Sequence, residues 1–488
     1  MAKPRGKRSQ TYGFDSFLSV FTWRYGSDTM RRVFSEVNYR GKWREVWTAL
    51  AEAELRYGLL TEKEFADIRK YSAAEYIDID KSHQIERIIG HDLMAEIKVF
   101  AGQAKAGGGK IHLGATSADI EDNTDILRMR EALGILRERV ISCLSLLGEK
   151  IQKYKSTACM GWTHLQPAEP TTIGYRFATY AQDLILDVQL IDFLLEKIAL
   201  GKGMKGAVGT AASYSRLVGV DQLRDLEKEV MKKLDLRPFP ISTQTYPRKV
   251  DFLILTVLAS IAQSIQKFAL DMRILQSPPF GEVSEPFERR QVGSSAMPFK
   301  RNPVLAERAS SLGRYASSVV AVALTNASSS ILERTLDDSA NRRIIIPESF
   351  LAVDECLLLY SRIVSGMKII IKSVERNLER YGSFSLLEPL MMDLVKRGED
   401  RQQVHERFRR ISRRAWNEVE RGRSNPLARL LTKDTKIREI YGDSFSVMLD
   451  PTEYIGDAIS RTGDFLRDSI RPLVSKRGAR TGPSHGGF

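Results

Sequence analysis

The sequence predicts an all-α protein organised around a central bundle of long helices. Three observations carry that expectation. Apolar residues recur at alternating spacings of three and four from Ile126 through Met129, Leu133, Leu136, Val140 and Cys143 to Leu147. That is the seam of a long helix packed at a shallow angle against its neighbours. Residues 250–275 are apolar on nearly every helical face, as expected of a helix inside a bundle. No succession of alternating strands with Gly-rich turns is present.

Taken in chain order, residues 1–116 form an N-terminal helical region that opens on a basic tail (1–10) and carries short helical patterns such as 43–57. Residues 117–370 form the central bundle. Its first helix has N-cap candidates in Asp122, Asn123 and Thr124. Running from there to Tyr154, it would be about 45 Å long. The 250–275 helix follows, then 304–332, whose Ala and Ser content lets helices approach closely, then 350–372. Residues 371–488 form a C-terminal region of short helices broken by Pro and Gly, ending in a basic, low-hydrophobicity tail (477–488). Helices this long and apolar bury their outer faces between subunits, so a homo-oligomer is expected.

Composition places the chain among soluble proteins with a large core: 488 residues, 43% hydrophobic and 28% charged. Three widely spaced cysteines imply no disulfide framework, so a reducing, cytoplasmic setting with buried thiols is expected. The longest uncharged run, 315–332, contains five serines with Thr325 and Asn326. It is a poor membrane span, and no membrane association is expected. No secretory signal is expected either, since Asp15 interrupts the early apolar stretch. The net charge of +13 sits at the ends: four Lys/Arg in residues 1–10, and 23 Lys/Arg against 17 Asp/Glu in 371–488. Solvated tails explain this, with nucleic-acid contact as the alternative.

Chemistry is concentrated in a few strings. Residues 293–303 read G-S-S-A-M-P-F-K-R-N-P, between a polar Gly/Pro-punctuated loop (281–292) and a helix from Val304. Hydroxyls, an ammonium and an amide delivered there make an anion-binding catalytic strip. The G-x-G-x-x-G at 201–206 follows a helical pattern instead of a strand, and A-G-G-G-K (106–110) lacks Walker spacing, so both read as loops. None of the six histidines has metal spacing, so no metal is expected. His164, in T-H-L-Q-P-A-E-P-T-T (163–172), sits on a segment stiffened by Pro167 and Pro170, a mount that suits proton transfer. Arg334, Ser339, Arg342 and Arg343 lie in R-T-L-D-D-S-A-N-R-R (334–343). They read either as a phosphate or carboxylate site or as a network with Asp337 and Asp338.

Together T-S-A-D-I-E-D-N (116–123), 163–172 and 293–303 resemble the fumarase/aspartase superfamily, whose members release fumarate from succinyl compounds. Further strings (W-R-Y-G-S at 23–27, V-F-S-E-V-N-Y-R-G-K-W-R at 33–44, I-S-T-Q-T-Y-P-R-K-V-D at 241–251 and 333–343) resemble its purine-nucleotide branch. The match covers residues 20–475. It implies an all-helical three-domain subunit, a homotetramer with active sites shared between subunits, no cofactor, and adenylosuccinate and SAICAR as substrates. An argininosuccinate-cleaving member and a non-catalytic basic homologue that binds nucleic acid are the alternatives.

Carried over by motif position, His164 resembles the general acid and Ser294 the general base, with Ser295 its rival. Glu307 resembles the carboxylate that orients the histidine, and Lys300 and Asn302 the succinyl-carboxylate contacts. Thr116, Ser117, Thr163 and Gln244 match further substrate contacts. Arg24, Tyr25, Arg308, Arg334, Ser339 and Arg343 match the nucleotide and phosphate side. His91 and Asp92 match an R-H-D strip whose Arg is Gly90 here, and Ala211 stands where the family has Gln.

Overall fold

The computed structural model describes residues 13–442 and 450–475; the two basic tails lie outside these. The architecture is helical, as predicted. Its long members are Ser117–Tyr154 (38 residues), Ile173–Phe193 (21), Lys249–Gln276 (28) and Ser339–Gly366 (28). Every residue of the 126–147 seam is buried. The Lys249–Gln276 helix has the length and apolar composition of a membrane span, but more than half of it is buried inside the protein.

The chain divides into two compact units. The first comprises residues up to 139, 187–263 and 311–358. Its core includes Trp43, Trp47 and Phe100, with Arg44 buried over the Phe100 ring and paired to Glu96 at 2.7 Å. The second comprises 140–186, 264–310 and 359 onward. Phe268 packs on Tyr360 there, and a separate cluster forms around Leu394, Val404, Phe408 and Leu431. All three cysteines are free and buried, and burial pushes the Cys159 thiol up to about 11.

Several elements differ from expectation for identifiable reasons. The seam helix begins at Ser117, not at 122–124. Asp119 accepts the Thr116 backbone N–H at 3.0 Å and starts the helix five residues early. Asp122, Asn123 and Thr124 are buried inside it. The 304–332 stretch is two helices, Val304–Ser318 and Val320–Ser328. The Ser317 and Ser318 hydroxyls donate to the carbonyls of Gly313 and Tyr315 near the break, a competition with the backbone ladder that bends helices. The 350–372 helix instead spans Ser339–Gly366, with Pro347 inside it. Lys368–Ile369 then pairs antiparallel with Val283–Ser284, and a new helix runs Ile371–Tyr381.

The second small sheet was also unexpected: Ala158–Thr163 and Gln166–Thr172 form a hairpin. The 201–206 segment is a loop, as read from sequence. Gly203 has φ +87°, a backbone conformation that favours glycine, so its glycine serves the turn of this loop.

Candidate active site

In the first unit, buried carboxylates tie the separated motif strings together. Asp119 accepts from the Lys202 ammonium and from the backbone N–H groups of Lys205 (3.1 Å) and Gly206 (3.1 Å). Through its Thr116 contact, it holds Thr116 and Ser117 in place. Asp122 accepts from Arg248 at 3.0 and 3.1 Å and from the Tyr246 N–H at 2.8 Å. Arg248 continues to Asp338 (2.7 Å), which also pairs Arg334 (3.2 Å). Arg342 bonds Asp251, Asp125 and the Tyr246 hydroxyl. The Gln244 N–H donates to the Glu333 carbonyl at 3.2 Å. Strings 116–123, 241–251 and 333–343 thus converge by charge-assisted bonds.

Arg334, Ser339 and Arg343 line one cavity of about 180 Å³, at the start of the Ser339–Gly366 helix. A helix N-terminus and two guanidiniums favour an anion there. Asp92 reaches Arg343 at 2.6 Å. Burial works against the Asp92 charge, but Arg343 holds its carboxyl below the usual range. His91 caps the Asp92–Gln103 helix, its Nδ1 accepting the Met94 N–H at 3.4 Å. Arg24 and Tyr25 lie outside the cavity wall, with the Arg24 guanidinium 5.6 Å from the Trp23 ring centroid. The alternatives left open for 334–343 are therefore both realised in part: Arg342 is consumed by structural carboxylates, while Arg343 stays half exposed.

In the second unit, His164 and Leu165 form the two-residue hairpin turn, with φ of +54° and +60°. Positive φ at both positions suits the strand twist but is costly without glycine. The strain presents an exposed imidazole at the tip. Thr163 pairs with Gln166 at the base of the turn.

Loop 293–303 closes on itself. The Asn302 amide donates to the Gly293 carbonyl at 3.0 Å, and the Lys300 N–H to the Met297 carbonyl at 3.0 Å. A Cβ at Gly293 would overlap the Lys300 carbonyl. The Ser294 hydroxyl oxygen accepts two backbone N–H bonds, from Ala296 (3.3 Å) and Met297 (3.1 Å). Amides aimed at that oxygen stabilise its deprotonated form. Ser295 has no such pair of donors among the described residues. Glu285 is buried and accepts the N–H groups of Leu305 (3.1 Å) and Ala306 (3.2 Å). It anchors the Val304–Ser318 helix, whose first turns carry Glu307 and Arg308. Burial raises the Glu285 carboxyl against these bonds.

Among the described residues, no hydrogen bond joins His164 to Glu307 or to Ser294, and Lys300 is exposed. Sequence reasoning missed Asp119, Asp122, Arg248 and Lys202. Their signal was there: Asp119 and Asp122 are acids inside the 116–123 string on a helix, and Lys202 and Arg248 are cations in the 201–206 and 241–251 segments already singled out.

Comparisons with known proteins bear on this geometry. A family model described as "Lyase" matches residues 23–319, and one described as "Adenylosuccinate lyase C-terminus" matches 386–463. Adenylosuccinate lyase from Schistosoma mansoni is 37% identical, covering 94% of this chain and 96% of the relative. The Saccharomyces cerevisiae protein of the same name is 35% identical (94% and 95%), and that of Pyrococcus abyssi 36% (89% and 94%). Among solved structures, a fumarate lyase from Mesorhizobium sp. BNC1 superposes with a TM-score of 0.80 at 24% identity, covering 91% of this chain and 98% of that one. A 3-carboxy-cis,cis-muconate lactonizing enzyme from Pseudomonas putida also gives 0.80, at 23% identity (94% and 99%). At those identities the structures establish the fold.

Proposed function

The chain belongs to the adenylosuccinate lyase family, and from that premise we propose that it eliminates fumarate from adenylosuccinate to give AMP, and from SAICAR to give AICAR, in purine nucleotide biosynthesis. It is a C–N lyase. The observation that carries the mechanism is the Ser294 hydroxyl held by two amide donors inside the closed 293–303 loop.

In this reading Ser294 removes the proton from the carbon beside the succinyl carboxylate, and its amides stabilise the alkoxide that acts as base. The electron pair spreads onto that carboxylate, where Lys300 and Asn302 offset the second charge. The C–N bond then breaks, fumarate forms, and His164 donates a proton to the departing nitrogen. Thr116, Ser117, Thr163 and Gln244 position the succinyl and base portions. Arg334, Ser339 and Arg343 take the phosphate, joined by Arg24, Tyr25 and Arg308. The chemistry requires no metal or organic cofactor.

A homotetramer with shared sites completes the proposal. It is supported by the exposed acid at the hairpin tip and by apolar side chains left exposed on one stripe of the Ile173–Phe193 helix: Leu186, Leu190 and Phe193. The three-region division at 116 and 370 and a cytoplasmic location stand as proposals. The separate C-terminal family match supports the former and the buried free thiols the latter.

The test is fumarate release, followed by ultraviolet absorbance, with adenylosuccinate, SAICAR and argininosuccinate as separate substrates. Activity confined to argininosuccinate would overturn the nucleotide reading. Ser294→Ala and His164→Ala should each lower kcat by about 10²–10⁴-fold. If chains share sites, mixing the two inactive proteins under exchange conditions should restore part of the activity.

A further inference from the structure

Glu121 stands apart from every other acid at the anion cavity. Its neighbours on the Ser117–Tyr154 helix are committed: Asp122 to Arg248 at 3.0 Å, and Asp125 to Arg342 at 3.0 Å and Arg128 at 3.5 Å. Glu36, on the cavity wall, pairs Arg40 at 2.9 Å, and Asp92, outside the wall, pairs Arg343 at 2.6 Å. Glu121 lines the same wall and has no hydrogen bond or ion pair among the described residues. Tyr39, facing it from the Glu36–Arg56 helix, is half-buried, and desolvation holds its phenol well above the usual range, so it stays neutral.

We propose that Glu121 sets the charge of the phosphate subsite: protonated, it donates a hydrogen bond to a phosphate oxygen; ionised, it repels the phosphate. This rests on the assignment of Arg334, Ser339 and Arg343 to the substrate phosphate. With Glu121 neutral, five guanidiniums face three carboxylates along the wall; ionisation makes it four. A protonated carboxyl can donate to an anion, whereas a carboxylate can only accept. The switch falls in the working range because burial, then the charges of Asp92, Asp122 and Asp125, raise the Glu121 carboxyl to about 7, with Arg343 opposing. Glu121 is thus a specificity-determining residue for phosphate charge and acts on binding, apart from the elimination step.

The experiment compares wild type with Glu121→Gln, which keeps shape and removes the charge. In wild type, KM for adenylosuccinate should rise about five-fold between pH 7 and 8, a single proton giving at most ten-fold. In Glu121→Gln, KM should stay near the wild-type low-pH value across that interval, while kcat follows the same pH course in both proteins. Calorimetry with AMP at pH 7 supplies a second readout. Wild type should take up more protons on binding than Glu121→Gln, read from the dependence of heat on the buffer's ionisation enthalpy. Equal KM slopes in the two proteins, or equal proton uptake, would overturn the proposal. Absence of fumarate release by either protein at any pH would instead sink the functional reading beneath it.

Discussion

Replacing Asp119 by asparagine removes one charge and almost no volume from the most heavily used carboxylate in the first unit. Asp119 and Lys202 are both fully buried, and among the described residues the ammonium's other acceptor is the Gly206 carbonyl. Once Asp119 is neutral, Lys202 becomes a buried charge without a counter-ion, which costs about 3–5 kcal/mol. Three backbone N–H groups, of Thr116, Lys205 and Gly206, would weaken from charge-assisted to neutral bonds. At roughly 2 °C per kcal/mol for a unit of this size, the melting midpoint should fall by about 6–10 °C. The loss should appear by calorimetry or circular dichroism. Asp119→Asn combined with Lys202→Met removes the orphaned charge and should recover most of the midpoint, because replacing both partners of a buried pair is often neutral. A single variant that melts within about 1 °C of wild type, or a double variant worse than the single, would refute the reasoning.

Three further outcomes follow from the geometry. Glu54 is buried, its Oε1 accepts no hydrogen bond among the described residues, and burial raises its carboxyl to about 8. The folded state therefore holds the proton more tightly than the unfolded chain. Stability is lost as pH rises from the unfolded value toward 8, by up to about 1.4 kcal/mol per pH unit. Glu54→Gln should flatten that slope in denaturant titrations at pH 6 and 8, and identical slopes would count against it. Gly293→Ala forces a Cβ onto the Lys300 carbonyl, so kcat should fall at least ten-fold while the melting point moves little. A fully active variant would show that the loop need not close this way. Leu165→Gly should relieve about 1 kcal/mol of left-handed strain yet loosen the His164 mount, raising stability and lowering kcat together. An unchanged kcat would separate the strain from the chemistry.

The helical class, the long seam at 126–147, the buried thiols, the loop reading of 201–206 and the motif strings were all legible in the residues, because periodicity and composition are local properties. The same locality explains the misplaced boundaries. The chain reversal at 366–369 is decided by Pro286 lying against Gly366 and by the 283–284 strand beside it, and no short window of sequence contains those partners. His164 was found as a polar residue on a stiff segment, but the left-handed turn that thrusts it outward required the partner strand.

Taken alone, the chain dictated which chemical groups exist and the order in which they are strung: a serine on glycine, a histidine between threonine and leucine, arginines beyond a helix break. Only folding decided which charges cancel. Arg342 and Arg343 are adjacent and chemically identical, yet one is buried against Asp125 and Asp251 while the other stays exposed beside Asp92. The reason is that ion pairing depends on distance in space, falling off within a few ångströms, whereas sequence records only distance along the chain.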